Sequence, residues 1–152
     1  MIIEKEIITN IQKEVMFLVG KTKVNNKYFI DKIEEGIKNS HNNFTTNVVG
    51  FMTSWDYFCN DKEFIKLLIP ILDKIDENKS IRGFSLKEAW GLKEGFSHQT
   101  REHDHPEYLS GVIYLNNHTQ ELVFPQINQK VKPEKGKFVV FSSELRHKTN
   151  RN

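Results

Sequence analysis

Two stretches of the chain carry apolar residues at helical spacing. From Asn25 to Lys38, Tyr28, Phe29, Ile30, Ile33 and Ile37 recur every third or fourth position or close to it, which predicts an amphipathic helix capped by Asn25 or Asn26. From Lys62 to Asp76 the apolar set is Phe64, Leu67, Leu68, Ile71, Leu72 and Ile75, with Asn60-Asp61 offering the cap. Pro70 lies inside that run, where its missing N–H removes a hydrogen bond and is expected to bend the helix. Glu14–Gly20 and Val48–Met52 read as strands, Ser40–Thr46 as a polar surface loop, and Asp73–Ser80 as a polar exit from the second helix.

From Ile81 onward the pattern changes to short strands separated by turns: Arg82–Leu92, Gln99–His105, Leu109–Leu115, Glu121–Phe124 and Lys137–Phe141. Several short strands at this spacing predict a sandwich or barrel. Helices first and strands after give an α+β fold class, with the helices packed on one outer face of the β unit.

The chain has 152 residues, enough for one domain, in which 1–80 would support a core formed by 81–152. A chain of that length buries roughly 68–70% of its unfolded surface, so its core needs no covalent staples. Eleven Phe, four Tyr and two Trp supply the bulk. Charged residues make up 28% but nearly cancel to +2, so nucleic acid is not indicated as a partner. The single cysteine, Cys59, excludes an internal disulfide framework and fits a reducing cytosol. It sits in Trp55-Asp56-Tyr57-Phe58-Cys59 with no base nearby in sequence, which points to packing rather than nucleophilic chemistry. No apolar leader opens the chain, and runs such as Val15–Val19 and Leu67–Leu72 are too short to span a bilayer. A soluble cytoplasmic protein is expected.

The candidate chemistry is concentrated late in the chain. Five of the six histidines lie between His98 and His147. His103 and His105 flank Asp104, and on a strand residues i and i+2 face the same side about 6.6 Å apart. A third imidazole, His147, follows a separate apolar strand and could close a facial site, because neutral imidazole suits iron, zinc and copper. Asp104 would face the other way and serve as a supporting or solvated carboxylate, or become a ligand after a local twist at Pro106. His41, His98 and His118 read as loop or surface residues.

Around these residues stand Trp90, the strand ending Tyr114-Leu115-Asn116, the turn Pro133-Glu134-Lys135-Gly136 and the strand Val139-Val140-Phe141. From Trp90 to His147 this layout resembles the Fe(II)/2-oxoglutarate-dependent oxygenases. More narrowly, it looks like the bacteriophage branch with a His-x-His motif, and it is similar in layout to prolyl hydroxylases. Thr53-Ser54-Trp55 and the helix over 62–76 look like the same branch. The resemblance implies a jelly-roll (double-stranded β-helix) core, Fe(II) held by His103, His105 and His147, and 2-oxoglutarate and O2 as co-substrates of a dioxygenase. If the chain is viral, its place is the host cytoplasm. Tyr114 would donate a hydrogen bond to a 2-oxoglutarate carboxylate, or simply fill the core, and Trp90 would line the approach or pack.

The sequence departs from the family pattern twice. His105 stands where the family usually has a carboxylate ligand. The family also clamps the remote carboxylate of 2-oxoglutarate with an arginine on a strand beyond the distal histidine, since a bidentate Arg–carboxylate pair suits that task. Arg151 is the nearest counterpart here, with Lys137 and Lys93 as alternatives. The implied reaction is hydroxylation of an unidentified substrate coupled to 2-oxoglutarate decarboxylation. The competing readings are a cupin-like metal-binding jelly roll without oxygenase activity and an interaction protein whose histidines are incidental.

Overall fold

The computed structural model describes residues 5, 7, 12–40, 48–77, 85–95 and 98–150. The expected loop over 41–46, His41, the polar residues 78–80, the start of the Arg82 strand and Arg151 lie outside them.

The first strand, β1 (Phe17–Lys21), precedes helix α1 (Asn26–Asn39). Asn25 caps α1 by accepting a hydrogen bond from the Tyr28 amide, one of the orphan donors every helix start leaves. The predicted strand over Val48–Met52 breaks at Gly50 into β2 (Val48–Val49) and β3 (Phe51–Met52), each pairing with a different partner. Helix α2 (Lys62–Asp76) is capped by Asp61, whose Oδ1 accepts from Phe64 N at 2.8 Å. It runs through Pro70 as one helix, and Pro70 falls on its exposed side.

The strands that follow are β4 (Leu92–Lys93), β5 (Gln99–Thr100), β6 (Leu109–Ile113) and β7 (Leu122–Phe124). After them come β8 (Gln129–Val131), β9 (Lys137–Ser142) and β10 (Lys148–Thr149). Strands β8 and β10 were not anticipated. The strand expected over Arg82–Leu92 is absent across 85–91, and only β4 remains of it. That segment spends its backbone bonds on a turn rather than a ladder. Ala89 N donates to Trp55 O, Phe58 N to Ala89 O and Thr53 N to Gly91 O.

Every strand pair among the described residues is antiparallel, giving a mixed chain of helices and antiparallel sheets. One sheet has the order β1-β9-β6 and another β10-β7-β8. Strand alternation explains how they stack. On β9, Val139 and Phe141 join Leu122 and Phe124 of β7 and Val131 of β8 in one core, so this core lies between the two sheets. Phe138 and Val140 point the other way, onto Ile71 and Ile75 of α2. The cross-strand register keeps this sorting. Phe17 and Val112, opposite Phe141 and Val139, belong to the inner core, while Leu18 and Ile113, opposite Val140 and Phe138, belong to the outer one. Strand β9 is thus buried on both faces, which is why its sequence is a continuous apolar run rather than an alternating one. The third core, around Phe29, Phe58, Leu67 and Ala89, joins α1 and α2 on that outer side and holds Cys59 at its edge. Each fully buried Phe or Val contributes about 1.5–3 kcal/mol by leaving water.

Candidate metal centre

His103 and His147 face each other as an isolated antiparallel bridge, exchanging N–H···O bonds of 3.1 and 2.9 Å. In such a pair the two side chains emerge on the same face. His105 is not on a regular strand. Its amide instead donates to the Ser143 carbonyl at 3.0 Å, and the Ser143 amide donates to Tyr108 O at 3.2 Å. Ser143 is fully buried, and its hydroxyl meets that of Ser110 at 2.7 Å. The turn after β9 therefore pins the backbone on both sides of Pro106. The expected His-x-His geometry survives through these bonds rather than through a continuous strand.

The outcome is convergence. His103, His105 and His147 each place a ring nitrogen within 4.8 Å of the others. A metal bound at about 2.1 Å per nitrogen wants those atoms roughly 3.0–3.4 Å apart, so closing on an ion requires side-chain shifts of about 1–2 Å. Asp104 is exposed and stands outside the cluster.

The hydrogen bonds also set which nitrogen is free. His103 Nδ1 lies 2.7 Å from Arg101 O, and His147 Nδ1 lies 3.1 Å from Leu145 O. A carbonyl only accepts, so both Nδ1 atoms carry the proton and Nε2 keeps its lone pair, the arrangement a metal ligand needs. His98 and His118 are set the opposite way. Their Nδ1 atoms accept from the amides of Gly95 at 2.7 Å and Gln120 at 3.1 Å, which in the neutral ring leaves the proton on Nε2. The backbone thus separates ligand-ready histidines from the others.

The surroundings of His105 and His147 favour the neutral ring. His147 is 5% exposed, and its ring packs edge-on against Phe141 and tilted against Phe124, with centroids 4.8 and 5.7 Å apart. Burial lowers its pKa from 6.5 to about 4, opposed by the Leu145 carbonyl and assisted by His103 and His105. His105 is lowered too, first by burial and then by His103. Neutral imidazole is the form that binds metal. The donor set and the tautomers of His103 and His147 fit a divalent first-row metal.

The implied 2-oxoglutarate pocket fits less well. Tyr114 does face the inner core, two residues beyond Val112 on the same side. Burial raises its pKa above the usual phenol range, with the charge of Glu94 adding to the effect, so it stays a hydrogen-bond donor. Of the suggested anion anchors, Arg151 lies outside the described residues and the two lysines are committed elsewhere. Lys137 pairs with Glu134 at 2.8 Å, and Lys93 pairs with Glu34. The charge that acts on Tyr114 is that of a carboxylate. Glu94 is half-buried, accepts from the Thr100 hydroxyl at 3.3 Å, and has its pKa raised by burial. Nothing in Leu92-Lys93-Glu94-Gly95 distinguishes that glutamate from a solvated one; only the tertiary fold does. Trp90 packs edge-on against Trp55 with centroids 4.8 Å apart, and is half-buried.

Among the described residues, no helix is long and apolar enough to cross a membrane. Comparison with known proteins found no matching family model, no matching curated protein and no matching solved structure.

Proposed function

We propose that this chain is an Fe(II)-dependent dioxygenase on a jelly-roll core, hydroxylating a substrate at the expense of O2 and a 2-oxo acid. The observation that carries this reading is the histidine triad, whose two carbonyl-bonded members keep Nε2 free, with the His147 ring packed against Phe124 and Phe141. The sheet orders β1-β9-β6 and β10-β7-β8, facing each other across one core, support the jelly roll. A facial set of three histidines leaves open positions on iron, and the bound metal would supply the O2 chemistry. The chain's own part is to hold the ligands, keep His105 and His147 neutral by burial, and exclude water with Phe124 and Phe141. Three neutral ligands leave the metal's charge uncompensated, so an anionic 2-oxo acid would bind as the balancing charge.

The test is anaerobic titration with Fe(II) and then a 2-oxo acid, followed by the visible charge-transfer band of the chelate. The band should form with wild type and vanish in His103→Ala and His147→Ala.

A second reading, a metal-binding module without oxygenase activity, is favoured by one observation. Lys137 and Lys93, the described candidates for the cation that 2-oxoglutarate would need, are paired with Glu134 and Glu34. Release of succinate from 2-oxoglutarate, or O2 uptake with another 2-oxo acid, separates the two.

A further inference from the structure

Ser143 is fully buried just past the end of β9, and its three polar groups all bond to one loop. Its carbonyl accepts from His105 N at 3.0 Å, its amide donates to Tyr108 O at 3.2 Å, and its hydroxyl lies 2.7 Å from that of Ser110. The loop from His105 to Ser110 is thus gathered onto a single residue. Its neighbour Ser142 bonds in the other direction. The Ser142 hydroxyl accepts from Met16 N at 2.8 Å, and the Ser142 amide donates to Met16 O at 3.0 Å, beside β1. His105 depends on this anchoring more than the other two histidines do. The rings of His103 and His147 are each held by the carbonyl two residues earlier, Arg101 O and Leu145 O. The matching carbonyl for His105 is that of His103, and it already accepts from His147 N. Among the described residues the His105 ring makes no hydrogen bond. Its place is set by its backbone, and that backbone is held by Ser143.

We propose that Ser143, through its hydroxyl bond to Ser110, is the positioning residue of the third metal ligand, holding His105 where it can join His103 and His147. This inference rests on the metal-centre reading. It goes beyond that reading by separating two ligands oriented by their own carbonyls from one placed by a buried serine. The hydroxyl pair ties the turn after β9 to β6, so the carbonyl that receives His105 N stays seated. A ligand constellation works only within about 0.5 Å of its productive geometry, so a loosened loop takes His105 out of range before the bridged pair is affected.

Co(II) titration of wild type comes first, read by the metal's visible absorption, and failure to bind overturns the metal-centre reading itself. Ser143→Ala then removes the hydroxyl and keeps both main-chain bonds. It should weaken Co(II) binding by about tenfold, the lower end of what loss of a ligand's support costs. At saturating Co(II), proton NMR of wild type should show three sets of paramagnetically shifted imidazole signals. The His103 and His147 sets are marked by Nδ1–H protons bonded to carbonyls. In Ser143→Ala those two should stay in place while the His105 set moves or broadens away. Ser110→Ala cuts the same bond from a part-buried position on β6, should reproduce the pattern, and carries the test if Ser143→Ala does not fold. A His105 set unchanged in the serine variants overturns the proposal. So do three sets that shift together, which would make Ser143 a support of the whole core, or only two sets in wild type.

Discussion

His103 and His147 satisfy each other's backbone, amide to carbonyl in both directions, although they belong to segments separated by four strands. The candidate metal centre is therefore locked into the fold by main-chain bonds, and each of these two rings is oriented by a further carbonyl. Replacing His147 by Ala should leave the bridge intact while removing one ligand. Loss of a supporting partner alone costs about 10–100-fold in metal affinity, so loss of a ligand should cost roughly a hundredfold or more. Co(II) titration of His103→Ala, His105→Ala and His147→Ala checks this. Retained affinity in any of them would remove that residue from the centre.

Metal-free protein should lose stability in a defined acid window. Burial lowers His147 from 6.5 to about 4, so between those values the unfolded chain binds a proton that the folded protein refuses. The stability is fully present above about 6.5 and is lost as pH falls through about 4. A gap of that size is worth on the order of 3 kcal/mol. Urea unfolding at intervals across the window should give a falling midpoint in wild type and a flatter profile in His147→Gln. A wild-type midpoint as flat as the variant's would place the ring in a wetter site than the structure has it.

Asp61 does two jobs with two oxygens. Oδ1 caps α2 at Phe64 N, and Oδ2 accepts from the Tyr28 hydroxyl at 2.5 Å, tying the start of α2 to α1. That bond is the main reason the Tyr28 pKa rises from 10.0 to about 12, with burial and the charge of Asp61 adding to it. Asp61→Asn keeps a good cap but removes the charge, so tyrosinate absorbance should report Tyr28 titrating nearer 10.0 with little change in melting temperature. Asp61→Ala should also lose about 1 kcal/mol of helix stability. An unmoved Tyr28 titration in both variants would break the assignment.

Both helices were legible because each carries its own period and its own capping side chain, and those signals are local. The histidine triad was legible for a related reason. An i, i+2 pair keeps its sidedness whether the segment is a ladder or, as at His103 and His105, a bonded irregular stretch. What the sequence hid depends on partners far along the chain. β10 is only Lys148–Thr149 and exists because β7 is there to receive it. Residues 85–91 fall within an expected strand, yet their bonding groups meet the turn at Thr53–Phe58. Glu94 reads as a surface carboxylate until Thr100 is brought over it. Of the three basic residues suggested as anion anchors, Arg151 lies outside the described residues, Lys137 is paired with Glu134 three residues before it, and Lys93 is paired with Glu34, a partner far along the chain.

Gly136 ends the turn that sequence spacing marks between Pro133 and the long strand β9, and three segments meet on it. Its carbonyl accepts from Thr22 N at 2.8 Å just past β1, and its amide donates to Tyr114 O at 2.8 Å just past β6. The backbone there has φ +78°, the left-handed region in which glycine carries no side-chain penalty. A Cβ at this position would also stand 2.5 Å from the Thr22 carbonyl oxygen, a backbone atom that cannot swing aside. Gly136→Ala should therefore destabilise the fold by at least about 2 kcal/mol, from the conformational strain plus the displaced contact. Because Tyr114 hangs from the same bond, the variant should weaken 2-oxo acid binding more than it weakens Co(II) binding, since the histidines are anchored at the other end of β9. Chemical unfolding measures the first effect, and paired titrations with Co(II) and the 2-oxo acid measure the second. Equal losses for metal and co-ligand would mean that the turn supports the whole core rather than the Tyr114 wall.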